Sequence, residues 1–477
     1  MSTHRDPEPI APAELLAGRP PGPAAGEHLD EIARRVAADG RVNVILDDDP
    51  TGVQSVHDVP VLSAWEEEDL VWVLEQPGHT AFILTNSRSL PEAPAAALAG
   101  EIVGRLVRAS ERTGRGFVLT SRSDSTLRGH FPAETDAMAA ALGEPVDGVL
   151  LCPAFFGADR FTLDDVHWVL EGDVLVPAGL TEFARDRTFG YTALDLPGWA
   201  QERSGGRIAA ADVASVSLED VRAGRTAERL AGVEGGRPVV VNAVDDGDLE
   251  AFVLGLLDAE AAGKRFIYRV GPSFPRARGG ITLPEPLTAE RLFADRPGGG
   301  RGLVVVGSHV EMTSRQLEQA LTLGDLETVE LQVPALLEDA EREVARVVAE
   351  AAAGLERADV VVATSRKLAT AAGGQSDLDI GAVVAGAVVD VVRGLDLDGL
   401  SWLIAKGGIT SSDVGTKALG VRRATVAGPL LAPGIVPVWI LPGDSAVPGL
   451  PYVIFPGNVG GPGALRDAIE IMRGGGG

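Results

Sequence analysis

Cysteine is nearly absent from this chain. Cys152 is the only one among 477 residues, so no intrachain disulfide can form and no cysteine-based metal cluster can be built. Histidine is sparse and scattered, with 7 residues and no HExxH-type spacing. No apolar run approaches the ~20 residues that a bilayer-spanning helix needs, which argues against a membrane partner. The first 26 residues lack the apolar core of a signal peptide, so a cytoplasmic protein is expected. Positive charge is also short: 42 Lys and Arg stand against 68 Asp and Glu, a formal −26. That field repels nucleic acid and anionic membranes, so an anionic ligand needs positive groups gathered locally. Only four of those residues are lysines, Lys264, Lys367, Lys406 and Lys417.

What remains is ordinary globular composition, 45% hydrophobic and 23% charged, which excludes a wholly disordered chain. The length predicts about two to four domains. Residues 1–26 hold six prolines and read as a flexible lead-in. From residue 27 a pattern repeats: a short β-branched run, a polar or Gly-rich turn, then an Ala/Leu/Glu-rich stretch. Apolar runs fall at 42–46, 82–84, 117–119, 149–151, 239–241 and 266–268, then at 303–306, 360–362, 402–404, 438–441 and 452–455. Near-continuous Val/Ile/Leu runs suit parallel strands buried on both faces. Helical stretches between them include 30–38, 93–108, 313–323, 338–355 and 380–393. The expected fold is therefore α/β, with mostly parallel sheets flanked by helices. Residues 197–207 read as loop, and 272–301, rich in Gly, Pro and Arg, as a break without a strand. The second break sets a domain boundary near residue 297, giving 27–296 and 297–477.

Polar residues cluster just after the strands, where ligands bind in open parallel sheets. The first strand runs into Asp47, Asp48, Asp49, Pro50, Thr51 and Gly52, and the second into Ser87 and Arg88. The third runs into Arg122, Ser123, Asp124, Ser125, Thr126, Leu127, Arg128 and Gly129, and the fourth leads on to Arg160. Arginine pairs with a carboxylate bidentately while aspartate accepts bonds from hydroxyls, a combination suited to a hydroxy acid. An Asp-rich turn is equally a helix N-cap; four successive polar strand ends favour a ligand crevice. The second half differs. Its strands run into Gly307-Ser308, into Lys406-Gly407-Gly408-Ile409-Thr410-Ser411-Ser412, and into Pro456-Gly457-Asn458. Glycine turns let backbone N–H groups approach phosphate oxygens, though each such turn also makes an ordinary tight connection. Neither a Walker A motif nor a GxGxxG after the first strand is present, which argues against a dehydrogenase.

Together these motifs resemble the four-carbon acid sugar kinases, which include 3-oxo-tetronate, D-threonate and D-erythronate kinases. A DDxTG signature stands as Asp48-Asp49-Pro50-Thr51-Gly52, and K-x-DSTLRG as Arg122 through Gly129. An SR pair stands as Ser87-Arg88, and PAFP…GR-x-T resembles Pro153 to Phe156 with Arg160 and Thr162. In the second half, Gly307-Ser308 with Thr313 and Gln316, the Gly407–408 loop, and Pro456 to Gly460 match the remaining signatures. The likeness spans residues 42–461. It implies a first domain that binds the sugar acid, a second that binds ATP, an active site in the cleft between them, and Mg²⁺ assisting transfer. It also implies that Asp48, Thr51, Ser87, Arg88, Arg122, Ser125, Arg128 and Arg160 bind the acid. Arg88, Arg128 or Arg160 would hold its carboxylate, and Asp49 or Asp124 would act as base. Gly307, Ser308, Lys406, Gly407, Gly408, Thr410, Ser411 and Gly457 would line the nucleotide. No residue is singled out as a metal ligand, and a homo-oligomer is left open. Arg122 replaces the usual Lys, Ile409 a Glu and Ser412 a Gly, and Asp47 makes the first turn more acidic than the usual ADDFTGA. The alternatives are a sugar-acid-binding protein with a degenerate nucleotide domain, or a kinase for a different small hydroxy acid.

Overall fold

A computed structural model describes residues 7–49, 52–53, 55–283, 285–294, 300–308, 310–365, 377–432, 436–443, 445–457 and 459–474. Thr51, a predicted acid-binding residue, lies outside them, as do Lys367 and Asn458. The chain divides into two compact units, Met1–Ser55 with Ala64–Leu283, and Val56–Ser63 with Pro284–Gly477.

In chain order the strands are β1 (Val42–Asp47), β2 (Val59–Leu62), β3 (Thr80–Leu84), β4 (Phe117–Arg122), β5 (Gly148–Cys152), β6 (Arg160–Leu163), β7 (Val166–Glu171), β8 (Val174–Pro177), β9 (Ala214–Val216), β10 (Arg237–Val241) and β11 (Phe266–Val270). They continue with β12 (Arg301–Val306), β13 (Leu326–Leu331), β14 (Asp359–Thr364), β15 (Leu400–Lys406), β16 (Arg423–Pro429), β17 (Pro437–Ile440) and β18 (Pro451–Phe455). In the first unit the order β3-β1-β4-β11-β5-β10-β9 is parallel throughout. β3 lies on one side of β1 and β4 on the other, so the topology reverses between β1 and β4. Ligands bind outside the carboxyl ends of strands at such a switch point. The sheet's core is built from Leu150, Val239, Tyr268, Phe252, Leu256 and Phe274, with Ile32 and Val36. Each fully buried side chain of this kind contributes about 1.5–3 kcal/mol. A separate three-stranded antiparallel sheet, β6-β7-β8, begins at Arg160.

The second unit has the order β13-β14-β12-β15-β18-β17-β16-β2. It is parallel from β13 to β18 and antiparallel through β17, β16 and β2. Val304, Trp402, Ile404, Val453, Phe455 and Leu465 form its core.

All the predicted apolar runs are strands. The run at 438–441 is antiparallel rather than parallel, and β2, β6 to β9, β13 and β16 went unread. β13 shows why: its burial alternates along an exposed edge, so it never forms a continuous apolar run. Residues 197–207 are not all loop, because Leu196–Arg203 is a helix whose N-cap Asp195 accepts from Gly198 N. The proline-rich lead-in is not free either over its described part. Ile10 bridges Leu175, Arg19 pairs with Asp164 and Glu219, and the Glu250 carboxylate accepts from Gly26 N and His28 N. Proline lowers the entropy lost when such a segment docks, so Pro content alone does not mark a loose chain.

Candidate functional site

The first cluster grows from the ends of β1, β3 and β4. Thr85 ties β3 to β1, donating from both N and Oγ1 to Asp47 O at 2.9 Å. Asn86 turns the chain in the left-handed region (φ 51), and Arg88 follows on the next turn. Its guanidinium spans Asp48, with Nε 3.1 Å from Oδ2 and Nη2 donating to Oδ1. Nη1 lies 3.5 Å from Asp49 Oδ2 and 3.9 Å from Asp124 Oδ1. Asp48 also accepts from Ser123 Oγ at 2.7 Å.

The segment after β4 is a tight turn. Leu127 takes φ +71, a conformation costing a non-glycine residue about 1–2 kcal/mol. Its side chain is buried with Phe131, Leu151 and Trp199, and Tyr191 OH donates to Thr126 O at 3.0 Å. At Gly129 a Cβ would come within 2.6 Å of both Arg269 Nη2 and Ser123 Oγ, so only glycine fits. Asp124 accepts two bonds from Arg128, at 2.9 and 3.1 Å, and one from Thr126 N at 3.1 Å. Burial raises its pKa, but the hydrogen bonds of Arg128 and the charges of Arg88 and Arg128 outweigh that and hold it well below the usual carboxylate range.

The four predicted arginines separate by partner. Arg88 is committed to Asp48 and Arg128 to Asp124. Arg122 is buried (5% exposed) and pairs at 2.9 Å with Asp47, its register partner on β1. Its guanidinium is therefore engaged by a carboxylate of the neighbouring strand. Burial and the neighbouring aspartates push Asp47 up to about 7 despite Arg122, and Asp47 Oδ2 has no hydrogen-bond partner. Arg160 has no carboxylate within ion-pairing distance among the described residues. Its Nη1 donates to Ser125 Oγ at 2.7 Å, its Nε is buried without a partner, and burial lowers its pKa. Both Arg128 and Arg160 lie over the Phe183 ring, 5.4 and 5.1 Å from its centroid. Ser87 is buried and donates to Glu134, so its hydroxyl is already engaged.

Sequence reasoning missed several members. Arg269 on β11 is buried, donates to Ser121 Oγ at 3.1 Å and stands 3.9 Å from Glu134; burial lowers its pKa. The available signal was a lone charge in the apolar run of β11. His167 bridges Thr162 Oγ1 (3.0 Å) and Ser125 O (2.7 Å), and burial pushes it down to about 4. Phe183 carried no sequence signal.

In the second unit, the ends of β12, β15 and β18 bring Gly307, Ser308, Gly407, Thr410 and Gly457 together. A Cβ on Gly307 would lie 2.3 Å from Thr410 Oγ1, so the two turns pack backbone against side chain. Thr313 Oγ1 donates to Gly457 O at 2.8 Å, and Gln316 Nε2 to Val459 O at 2.9 Å and Gly461 O at 3.0 Å. These two residues, one turn apart on the helix Glu311–Leu321, clamp the loop after β18. Gly408–Asp413 is a short helix, with Gly408 and Thr410 partly exposed at its start. Two predicted nucleotide contacts are engaged elsewhere. Ser411 is buried and its Oγ donates to Gly408 O at 3.1 Å. Lys406 is fully buried and donates to Pro456 O and Gly457 O, beneath the loop. Lys417, beyond the helix, pairs with Asp413 at the surface.

A carboxylate–guanidinium cluster at the switch point of one parallel sheet, and a glycine-lined set of strand ends in another, define a two-unit α/β small-molecule protein. A sugar-binding N-terminal domain matches residues 43–278 and a nucleotide-binding C-terminal domain matches residues 303–465. The chain belongs to the four-carbon acid sugar kinase family. It is 29% identical to a D-threonate kinase of Salmonella typhimurium over 337 residues, 68% of this chain and 72% of that one. It is also 29% identical to a D-threonate kinase of Bordetella bronchiseptica over 396 residues, 82% of this chain and 85% of that one. A solved Haemophilus influenzae structure shares the fold, with a TM-score of 0.63 at 21% identity over 90% of this chain and 100% of that one. No described helix is long and apolar enough to cross a membrane.

Proposed function

We propose that the protein transfers the γ-phosphoryl group of ATP·Mg to a hydroxyl of a four-carbon sugar acid of the threonate or erythronate type. The observation that carries this reading is the cluster at β1, β3 and β4, in which Asp48, Asp49, Asp124, Arg88, Arg128 and Arg160 meet on the residues of the family's signature motifs. The D-threonate kinase relatives support the same substrate class. Arg160 binds the carboxylate, because it alone of the four predicted arginines has no carboxylate partner among the described residues. Asp48 and Asp49, oriented by Arg88, receive the substrate hydroxyls. Asp124 accepts the reacting hydroxyl's proton. Its weakened basicity suits a loose transition state, in which positioning matters more than early proton removal.

Gly408 and Gly457 offer backbone N–H groups and Thr410 a hydroxyl to the phosphates, while Gly307 and Gly407, whose N–H groups donate to Lys406 O and Phe455 O, leave room for their close approach. Mg²⁺ bound to the nucleotide as part of that substrate would supply charge neutralisation at the transferred group. The degenerate-domain alternative rests on Ile409, which stands 72% exposed on the helix Gly408–Asp413 where the resemblance expects a Glu; calorimetry showing acid binding without ATP·Mg binding would favour it. The test is Asp124→Asn in a coupled assay of ADP release. A fall in kcat of about 10²-fold or more is expected for a lost base; near-full turnover removes Asp124 from that role.

A further inference from the structure

Lys406 closes β15 as a fully buried cation. Its Nζ donates to Pro456 O and, at 3.1 Å, to Gly457 O, and stands 4.2 Å from the centroid of the Phe455 ring. All these partners are neutral and belong to the end of β18. Among the described residues no carboxylate comes within ion-pairing distance of it. The ionisable groups on the elements packed against β15 are engaged elsewhere. Asp413, on the helix Gly408–Asp413, pairs with Lys417; Tyr452, on β18, donates to Ser411 O; Arg301 lies exposed at the far end of β12. Burial alone pushes the ammonium down to about 7. A buried charge is costly unless it is paired, and carbonyl dipoles and a ring supply only part of what water did.

The missing counter-charge has an obvious location. Lys406 leads directly into Gly407, and the turn it grips at Gly457 abuts Ser308, whose Oγ lies 3.1 Å from the place a Cβ on Gly457 would occupy. Gly407 and Gly457 are among the residues assigned above to the nucleotide phosphates. We propose that Lys406 is a positioning residue whose ammonium, gripping the Pro456–Gly457 turn from beneath, becomes fully protonated as the nucleotide phosphates bind, so that nucleotide and proton are taken up together. This rests on the nucleotide reading given above. The proton comes from solvent and adds to the Nζ lone pair; no other bond changes.

The sign follows from linkage. A polyanion raises the lysine's pKa, so binding consumes a proton and affinity weakens as pH rises through the free-state value. The test is isothermal calorimetry of a non-hydrolysable ATP analogue with excess Mg²⁺, on the full chain, in two buffers of different ionisation enthalpy. Wild type is expected to take up as much as about one proton per nucleotide at pH 8, with affinity falling by up to about tenfold per pH unit above 7. Lys406→Arg, charged throughout this range, is expected to bind with neither effect, as is Lys406→Met if it folds. Wild-type binding without proton uptake overturns the proposal and leaves the nucleotide reading standing. Uptake that persists in Lys406→Arg overturns it too. Absence of any nucleotide binding overturns both.

Discussion

Arg160 sits among aspartates and arginines that are already paired, and its own carboxylate partner is missing among the described residues. In the function proposed above, that contrast makes it the residue on which acid recognition would turn. Arg160→Gln removes a charge-assisted, potentially bidentate contact worth about 2–3 kcal/mol. The expected result is a KM for the acid raised by about 30–150-fold, with the KM for ATP within about twofold; steady-state kinetics with each substrate varied checks both. Arg160→Lys is expected to recover only part, because a point charge cannot reproduce the guanidinium fork. At this scale the sequence was half legible. It offered Arg88, Arg128 and Arg160 as equal candidates for the carboxylate, since spacing along the chain says which strand end a side chain leaves but not which carboxylate it meets. Lys406 shows the same limit. Its place beside the glycine loop was readable, but the direction of its ammonium, down onto the carbonyls of the neighbouring strand end, depended on β15 pairing with β18.

The pairing of elements explains two departures that looked unrelated in the sequence. Asp47 and Arg122 each depart from the motifs that carry the resemblance, seventy-five positions apart. β1 and β4 lie side by side with these two residues in register, and together they form one buried ion pair. Removing one partner of such a pair typically costs 3–5 kcal/mol, while replacing both costs far less. Asp47→Ala alone is therefore expected to lower stability by about 3 kcal/mol in urea unfolding. Asp47→Ala with Arg122→Met, which removes both charges, is expected to recover most of that loss; strictly additive effects would show that the two sites are not coupled. The interior parallel strands were legible because burial on both faces writes continuous apolar runs. The parallel edge strands β9 and β13 were not, because only part of each is buried, and the same holds for β6 and β8 of the small sheet from β6 to β8. That sheet carries Arg160 and His167, so its omission hid how Arg160 reaches Ser125.

Across the whole molecule, a formal −26 and the two anionic substrates proposed above are compatible only if positive charge is concentrated where those substrates would bind. The first unit does this with Arg88, Arg122, Arg128, Arg160 and Arg269 at the ends of neighbouring strands. Aspartates hold three of them in place, and burial without full pairing leaves Arg160 and Arg269 short of counter-charge. The second unit has less charge to use and relies on backbone, with one buried lysine beneath the turn. The kinase reading joins these halves, and its most direct test is a coupled assay of ADP release by the full chain, with ATP·Mg and a panel of D- and L-four-carbon sugar acids. The expected result is ADP release that depends on one or a few of these acids, matched mole for mole by a phosphorylated acid. ATP turnover unaffected by every acid in the panel, or no turnover while the acids still bind, would contradict it.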